Sequence, residues 1–197
     1  MRIIFATANP GKLREAAEVL GPDYEVVSPA LLGITEDIPE TGSTLQENSL
    51  QKAQYLFERT GLPCFADDTG LEVDALGGAP GIYSARYAGP GHDSQANMDK
   101  LLAELEILQP AQDDRRARFH TVVTLILADG KPRFFEGVCE GAIAHEKQGT
   151  GGFGYDPVFL PDAYPGRTLA EVSEEEKNAV SHRGRALQAM SRWLKSR

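Results

Sequence analysis

Apolar positions along the chain repeat at helical spacing in some stretches and run unbroken in others. Arg2 to Ala6 is a short apolar run, and in Lys12 to Leu20 the residues Leu13, Ala16, Ala17 and Leu20 fall at i, i+3, i+4 and i+7, which predicts strand, loop, helix. Ser43 to Thr60 reads as a helix opened by the capping box Thr44-x-x-Glu47 and stopped at Gly61, and Pro63 to Ala66 reads as the next buried strand. Gly77 to Gly91 is rich in glycine and lacks periodicity, which predicts an ordered irregular loop. Asp93 or Ser94 then caps a helix with Leu101, Leu102, Leu105 and Leu108 on one face. Arg116 to Leu127 and Arg133 to Gly141 are β-branched and aromatic runs separated by Asp129-Gly130, a strong hairpin signal. The tail carries a second capping box, Ser173-x-x-Glu176, a break near Gly184, and an amphipathic helix with Leu187, Met190 and Leu194. Helices alternating with strands early and a hairpin late predict an α/β fold: a mixed β-sheet flanked by helices on both faces, one domain over residues 1–197 with two lobes and a central cleft.

The 197 residues, 41% hydrophobic and 25% charged, are the mixture of an ordinary globular protein with a sizeable core, which excludes wholesale disorder, collagen and coiled coil. A net charge of −9 repels a nucleic-acid backbone, so no nucleic-acid partner is expected, although a few convergent cations with a divalent metal can still bind one nucleotide. Cys64 and Cys139 have neither CxxC spacing nor a nearby His, which points away from zinc and disulfides and toward a reduced cytoplasm. The first residues are too short an apolar run for a signal peptide, and no run approaches the ~20 residues of a membrane span, so a soluble protein with no membrane partner is expected.

Four segments carry candidate chemistry. Thr7-Ala8-Asn9-Pro10-Gly11-Lys12 lies between a strand and a helix start, where free N–H groups and the helix dipole favour an anion such as phosphate. It is not a Walker A loop, because Leu13 follows Lys12 where a metal-binding Ser or Thr would stand. The alternative is a helix start with Asn9 as cap and Pro10 at the first position. Asp67 and Asp68 in Ala66-Asp67-Asp68-Thr69-Gly70 end an apolar strand where α/β sheets place ligands, and Mg²⁺ commonly takes one or two carboxylates together with substrate phosphates. A solvated Asp-rich turn is the alternative there. Glu40, Glu47 and Lys52 could complete a metal site and meet a phosphate, or be surface charges and a cap. Gly149 to Pro157 sets Phe153 and Tyr155 beside Asp156, as a stacking loop for a base or as a turn with core aromatics. Lys177 and Ser181-His182-Arg183-Gly184-Arg185 form a basic cluster in an acidic chain, or a solvated helix face.

In order and spacing these segments, with Glu40-Thr41-Gly42, Leu76 to Arg86 and Glu176 to Arg183, resemble the inosine triphosphate pyrophosphatase family, which hydrolyses ITP, dITP and XTP, from residue 7 to residue 183. The resemblance implies a Mg²⁺-dependent nucleoside triphosphate pyrophosphatase that yields a nucleoside monophosphate and pyrophosphate and keeps non-standard purines out of DNA and RNA. It further implies a cytoplasmic homodimer of two-lobed subunits, with Gly81 to Arg86 near the dimer interface. Carried over by position, Thr7, Ala8, Asn9, Pro10, Gly11, Lys12 and Lys52 would hold phosphates, Glu40 and Asp68 the metal, and Asp68 would be the general base. Thr69, Phe153, Gly154, Tyr155, Asp156, Lys177, His182 and Arg183 would complete the nucleotide site. Two other readings compete: a pyrophosphatase for another modified nucleotide, and a regulator that binds a nucleotide without hydrolysing it.

Overall fold

The computed structural model describes residues 1–109 and 115–197. In chain order the strands are β1 (Arg2–Phe5), β2 (Glu25–Val27), β3 (Cys64–Val73), β4 (Pro80–Gly81), β5 (Arg116–Ile126), β6 (Pro132–Ile143) and β7 (Phe159–Pro161). The helices are α1 (Pro10–Leu20), α2 (Leu45–Thr60), α3 (Ser94–Leu108), α4 (Glu174–Val180) and α5 (His182–Lys195). The strands pair in the order β2-β1-β3-β5-β6-β7, with β4 beside β3. Parallel pairing of β1 with β2 and β3 and antiparallel pairing of β3 with β4 and of β6 with β7 make the sheet mixed, as expected. No helix among the described residues is long and apolar enough to cross a membrane.

Residue contacts divide the chain into two compact units, with β3 passing from one to the other after Asp68. The first comprises Met1–Asp68, Thr121–Gly137 and His182–Arg197. Ile3, Phe5, Phe65, Val123 and Leu125 pack there with Ala16 and Leu20 of α1 and Leu187, Met190 and Leu194 of α5, positions read from their periodicity, joined by Ala186. A second cluster places Ala53 and Leu56 of α2 against Ile4, Cys64, Ala66 and Ile126. Gly137 permits α5 to approach, since a Cβ there would stand 2.0 Å from the His182 carbonyl oxygen. The second unit, Thr69–His120 and Val138–Ser181, is built on Leu71, Val73, Met98, Leu101, Leu105, Phe119, Val158 and Phe159.

Several expectations are corrected. β3 does not stop at Ala66 but runs to Val73, so Asp67 and Asp68 lie inside a strand. The three-residue β2 is too short to show alternation and was not expected. Leu108, in the last turn of α3, is exposed while Met98, Leu101 and Leu105 are buried, and Asp93 is the cap. The break before the last helix falls at Ser181, whose ψ of 118° leaves the helical region, and Gly184 lies within α5. A helical glycine costs roughly 0.5–1 kcal/mol, which the buried face of α5 outweighs. Thr44 caps α2 through the Glu47 N–H, but the Glu47 carboxylate accepts from the N–H and hydroxyl of Ser43. The box at Ser173 and Glu176 closes in both directions as expected.

Candidate active site

Successive side chains of a strand project to opposite faces, and β3 uses this to send its two acids to different partners. Pairing between β1 and β3 ends at Phe5 and Phe65, so Asp67 and Asp68 lie beyond the carboxyl end of β1, where open α/β sheets bind ligands.

On one face the Asp67 carboxylate, only 2% exposed, receives Lys12 Nζ from α1 at 2.9 and 3.1 Å and Arg183 Nε from α5 at 2.8 Å. Arg183 Nη1 also reaches Glu15 at 3.4 Å. Burial alone would raise the Asp67 pKa, but Lys12, Arg183 and Lys52 outweigh it and hold the carboxyl well below the usual carboxylate range.

On the other face Lys52 Nζ, rising from α2, stands 2.6 Å from Glu40 and 3.1 Å from Asp68. Asn48, one turn earlier, donates to Asp68 at 3.3 Å while its carbonyl oxygen accepts the Gly42 N–H at 2.8 Å. Gly42 has no room for a side chain, since a Cβ would meet Glu47 at 2.6 Å. These bonds, with Gln51 accepting the Thr41 N–H at 2.9 Å, tie the Glu40 loop to α2. Burial lowers the Lys52 pKa, but Asp68, Asp67 and Glu40 raise it further, so the ammonium stays charged. Burial and Glu40 push the Asp68 pKa above its ordinary value against the pull of Lys52.

The Thr7 to Lys12 loop takes the form of the alternative reading. Asn9 caps α1 by accepting the N–H groups of Gly11 and Lys12, with Pro10 at the first helical position, so those two donors are engaged within the loop. Thr7, Ala8, Lys12, Glu40, Lys52 and Asp67 line a cavity of about 340 Å³ whose far wall includes Ile34 to Ile38. That wall is not foreshadowed by any motif. Glu36 holds it to α2 through Tyr55, whose hydroxyl donates to Glu36 at 2.7 Å.

In the second unit, Asp156 accepts the Phe153 N–H at 2.9 Å and Lys177 Nζ at 2.5 Å. Gly152, at φ +74°, leaves the space for Asp156, because a Cβ would stand 2.2 Å from its Oδ2. Phe153 is 72% exposed, with the Lys177 ammonium 4.5 Å from its ring centroid, and so presents a free aromatic face. Tyr155 is buried and donates to the Ser84 carbonyl at 2.8 Å, which makes it a core ring and not a stacking surface. Thr69 and His182 are half-buried, His182 at the start of α5 in the first unit.

Among the described residues no three His, Cys, Asp or Glu side chains form a ready-made metal cage. Two carboxylates, Glu40 and Asp68, do converge on one cation, the Lys52 ammonium. Counting Lys12, Lys52 and Arg183 against Glu15, Glu40, Asp67 and Asp68 leaves one excess negative charge in this cluster. A polyphosphate therefore needs a further cation to settle here.

The chain is thus a mixed-sheet α/β protein with paired acids and lysines beyond the carboxyl end of β1, the place where such sheets bind ligands. A sequence profile of the Ham1 family matches residues 3–193, and the chain belongs to that family. It is 52% identical over 193 residues to a dITP/XTP pyrophosphatase of Porphyromonas gingivalis, covering 98% of this chain and 97% of the relative. A dITP/XTP pyrophosphatase of Christiangramia forsetii is 47% identical over 98% of this chain and 99% of its own. The solved Ham1 protein of Coxiella burnetii superposes with a TM-score of 0.93 at 40% identity, covering all of both chains.

Proposed function

We propose that this protein is a house-cleaning pyrophosphatase that hydrolyses the non-standard purine nucleoside triphosphates ITP, dITP and XTP to the monophosphate and pyrophosphate. The observation that carries the reading is the pair of opposed ion clusters on β3, which joins acids suited to a metal and a base with cations suited to phosphates. Relatives that match this chain over nearly its whole length bear the name dITP/XTP pyrophosphatase.

The metal of this reading is Mg²⁺, which Glu40 and Asp68 would hold. The donor set fits, since Mg²⁺ prefers oxygen ligands and uses one or two carboxylates alongside substrate phosphates. When bound it supplies positive charge to the departing pyrophosphate. Lys12 and Lys52 add to that charge, balancing the negative charge that grows on the leaving group. Asp68 takes the proton of the water that attacks the α-phosphorus, and the bond from the α-phosphorus to the bridging oxygen breaks.

Arg183 reads the base. Its Nε and Nη1 are engaged, and among the described residues its Nη2 meets no acceptor, leaving a donor for a 6-oxo group. An amino group at that position, as in adenine, would face a donor and leave both unpaired, the kind of mismatch that can cost ~10⁴-fold. Thr69, Phe153, Gly154, Asp156, Lys177 and His182 are the remaining nucleotide contacts of this reading, with Phe153 supplying the stacking ring and Tyr155 left in the core. The working form in this reading is a cytoplasmic homodimer, and Tyr83 of the Gly81 to Arg86 stretch, 56% exposed, is a ring that such an interface would cover.

A panel of nucleoside triphosphates with Mg²⁺ tests the reading. ITP, dITP and XTP should release pyrophosphate, ATP should be poor, and EDTA should abolish turnover until Mg²⁺ is restored. Orthophosphate release, or full activity in EDTA, would contradict it.

A further inference from the structure

Asp67 takes no part in the chemistry just described, yet it is the more deeply buried of the two acids. Two cations from opposite ends of the chain meet on its Oδ2, Lys12 at 2.9 Å and Arg183 at 2.8 Å. Glu15, on α1 with Lys12, takes a second nitrogen of the same guanidinium at 3.4 Å. Replacing a buried ion triad by packed apolar side chains is often neutral or stabilising, so stability alone does not account for this one.

We propose that Asp67 is a positioning residue that couples base selection to phosphate binding by holding Lys12 and Arg183 on one carboxylate. The proposal rests on Lys12 meeting the phosphates and Arg183 meeting the base. A guanidinium is a planar fork, so fixing Nε on Asp67 and Nη1 on Glu15 sets the plane and the direction of Nη2. The Lys12 ammonium is a point charge on a flexible stem, and contact with both Asp67 oxygens gives it one location. The donor for a 6-oxo group and the charge for a phosphate then stand at a fixed separation before the nucleotide arrives. Binding a purine with the correct acceptor costs little reordering, and a purine without it cannot recruit the donor elsewhere.

The test measures kcat and KM for ITP and for ATP, with thermal melting of every variant, for Asp67→Asn, Asp67→Glu, Arg183→Lys and the double variant Asp67→Asn/Arg183→Lys. Asp67→Asn should lower the ITP-to-ATP ratio of kcat/KM by ~10-fold or more and raise KM for both nucleotides as Lys12 loses its anchor. Asp67→Glu keeps the charge but moves it by one methylene, and its ratio should fall to an intermediate value. The double variant should be no less selective than Arg183→Lys, because both changes disable one device. If Asp67→Asn does not fold, Asp67→Glu decides by the same criterion. Unchanged selectivity in the Asp67 variants, with Arg183→Lys losing it, overturns the coupling and leaves the base-reading assignment intact. Full selectivity in Arg183→Lys overturns the base-reading assignment and the coupling with it.

Discussion

Asp67 and Asp68 are adjacent in sequence, and the same substitution at each should have opposite consequences. Asp68→Asn keeps one acceptor oxygen for Lys52 or Asn48, which stand at 3.1 and 3.3 Å, and gives up the other. A net hydrogen bond is worth about 1 kcal/mol. Set against that loss is the relief of burial, since ionised Asp68 is held in the fold at a cost that raises its pKa. The balance is within about 1 kcal/mol, or about 2–4 °C in a chain of this size. Removing a positioned base costs ~10²–10⁴-fold in kcat. Asp67→Asn instead takes the charge from a site 2% exposed and leaves Lys12 and Arg183 facing an amide. Breaking a buried pair in this way costs about 3–5 kcal/mol. Melting followed by calorimetry, with pyrophosphate release measured on the folded fraction, separates the two. An Asp68→Asn protein that melts 10 °C lower, or turns ITP over at nearly the parental rate, would refute the division of labour.

Acid unfolding should report Asp67 directly. Its folded pKa lies below the unfolded one, so its contribution is complete above about pH 4 and is lost as pH falls through the folded value, and Asp67→Asn should flatten stability measured from pH 7 to pH 2. Asp68 has the opposite sign, so stability tied to its protonated form is lost as pH rises from about 4 through its raised folded pKa, and Asp68→Asn should gain on the parent over that interval. Gly152→Ala pushes a Cβ against Asp156 at a φ of +74°, and denaturant titration should show a loss of more than about 1 kcal/mol. Glu40→Gln should raise the Mg²⁺ concentration needed for half-maximal turnover, read from a Mg²⁺ titration.

Helices α1, α2, α3 and α5 and the turn at Asp129-Gly130 were legible because their signals are local: apolar residues three and four apart, caps of the first three at Asn9, Thr44 and Asp93, and Gly130 at φ +67°. The true length of β3 was not. Two adjacent acids read as the end of a strand, with a turn as the alternative, and they remain inside it because Lys12, Lys52 and Arg183 arrive from 55, 16 and 116 residues away. Tyr155 shows the same limit, since its spacing within a Gly-rich loop is equally that of a stacking ring, and only its bond to Ser84, 71 residues away, marks it as core. The Glu36 wall lacks any motif because its position depends on Tyr55 and Arg59 of α2, a contact between a loop and a helix that no periodicity encodes.

The central claim is hydrolysis at the α-phosphorus of a purine chosen by its 6-oxo group, and one competition measures both parts. An equimolar mixture of ITP and ATP with Mg²⁺ in H₂¹⁸O, sampled during turnover by mass spectrometry, should yield IMP carrying one ¹⁸O, unlabelled pyrophosphate and nearly intact ATP. Label in the pyrophosphate, or AMP appearing as fast as IMP, would contradict the account.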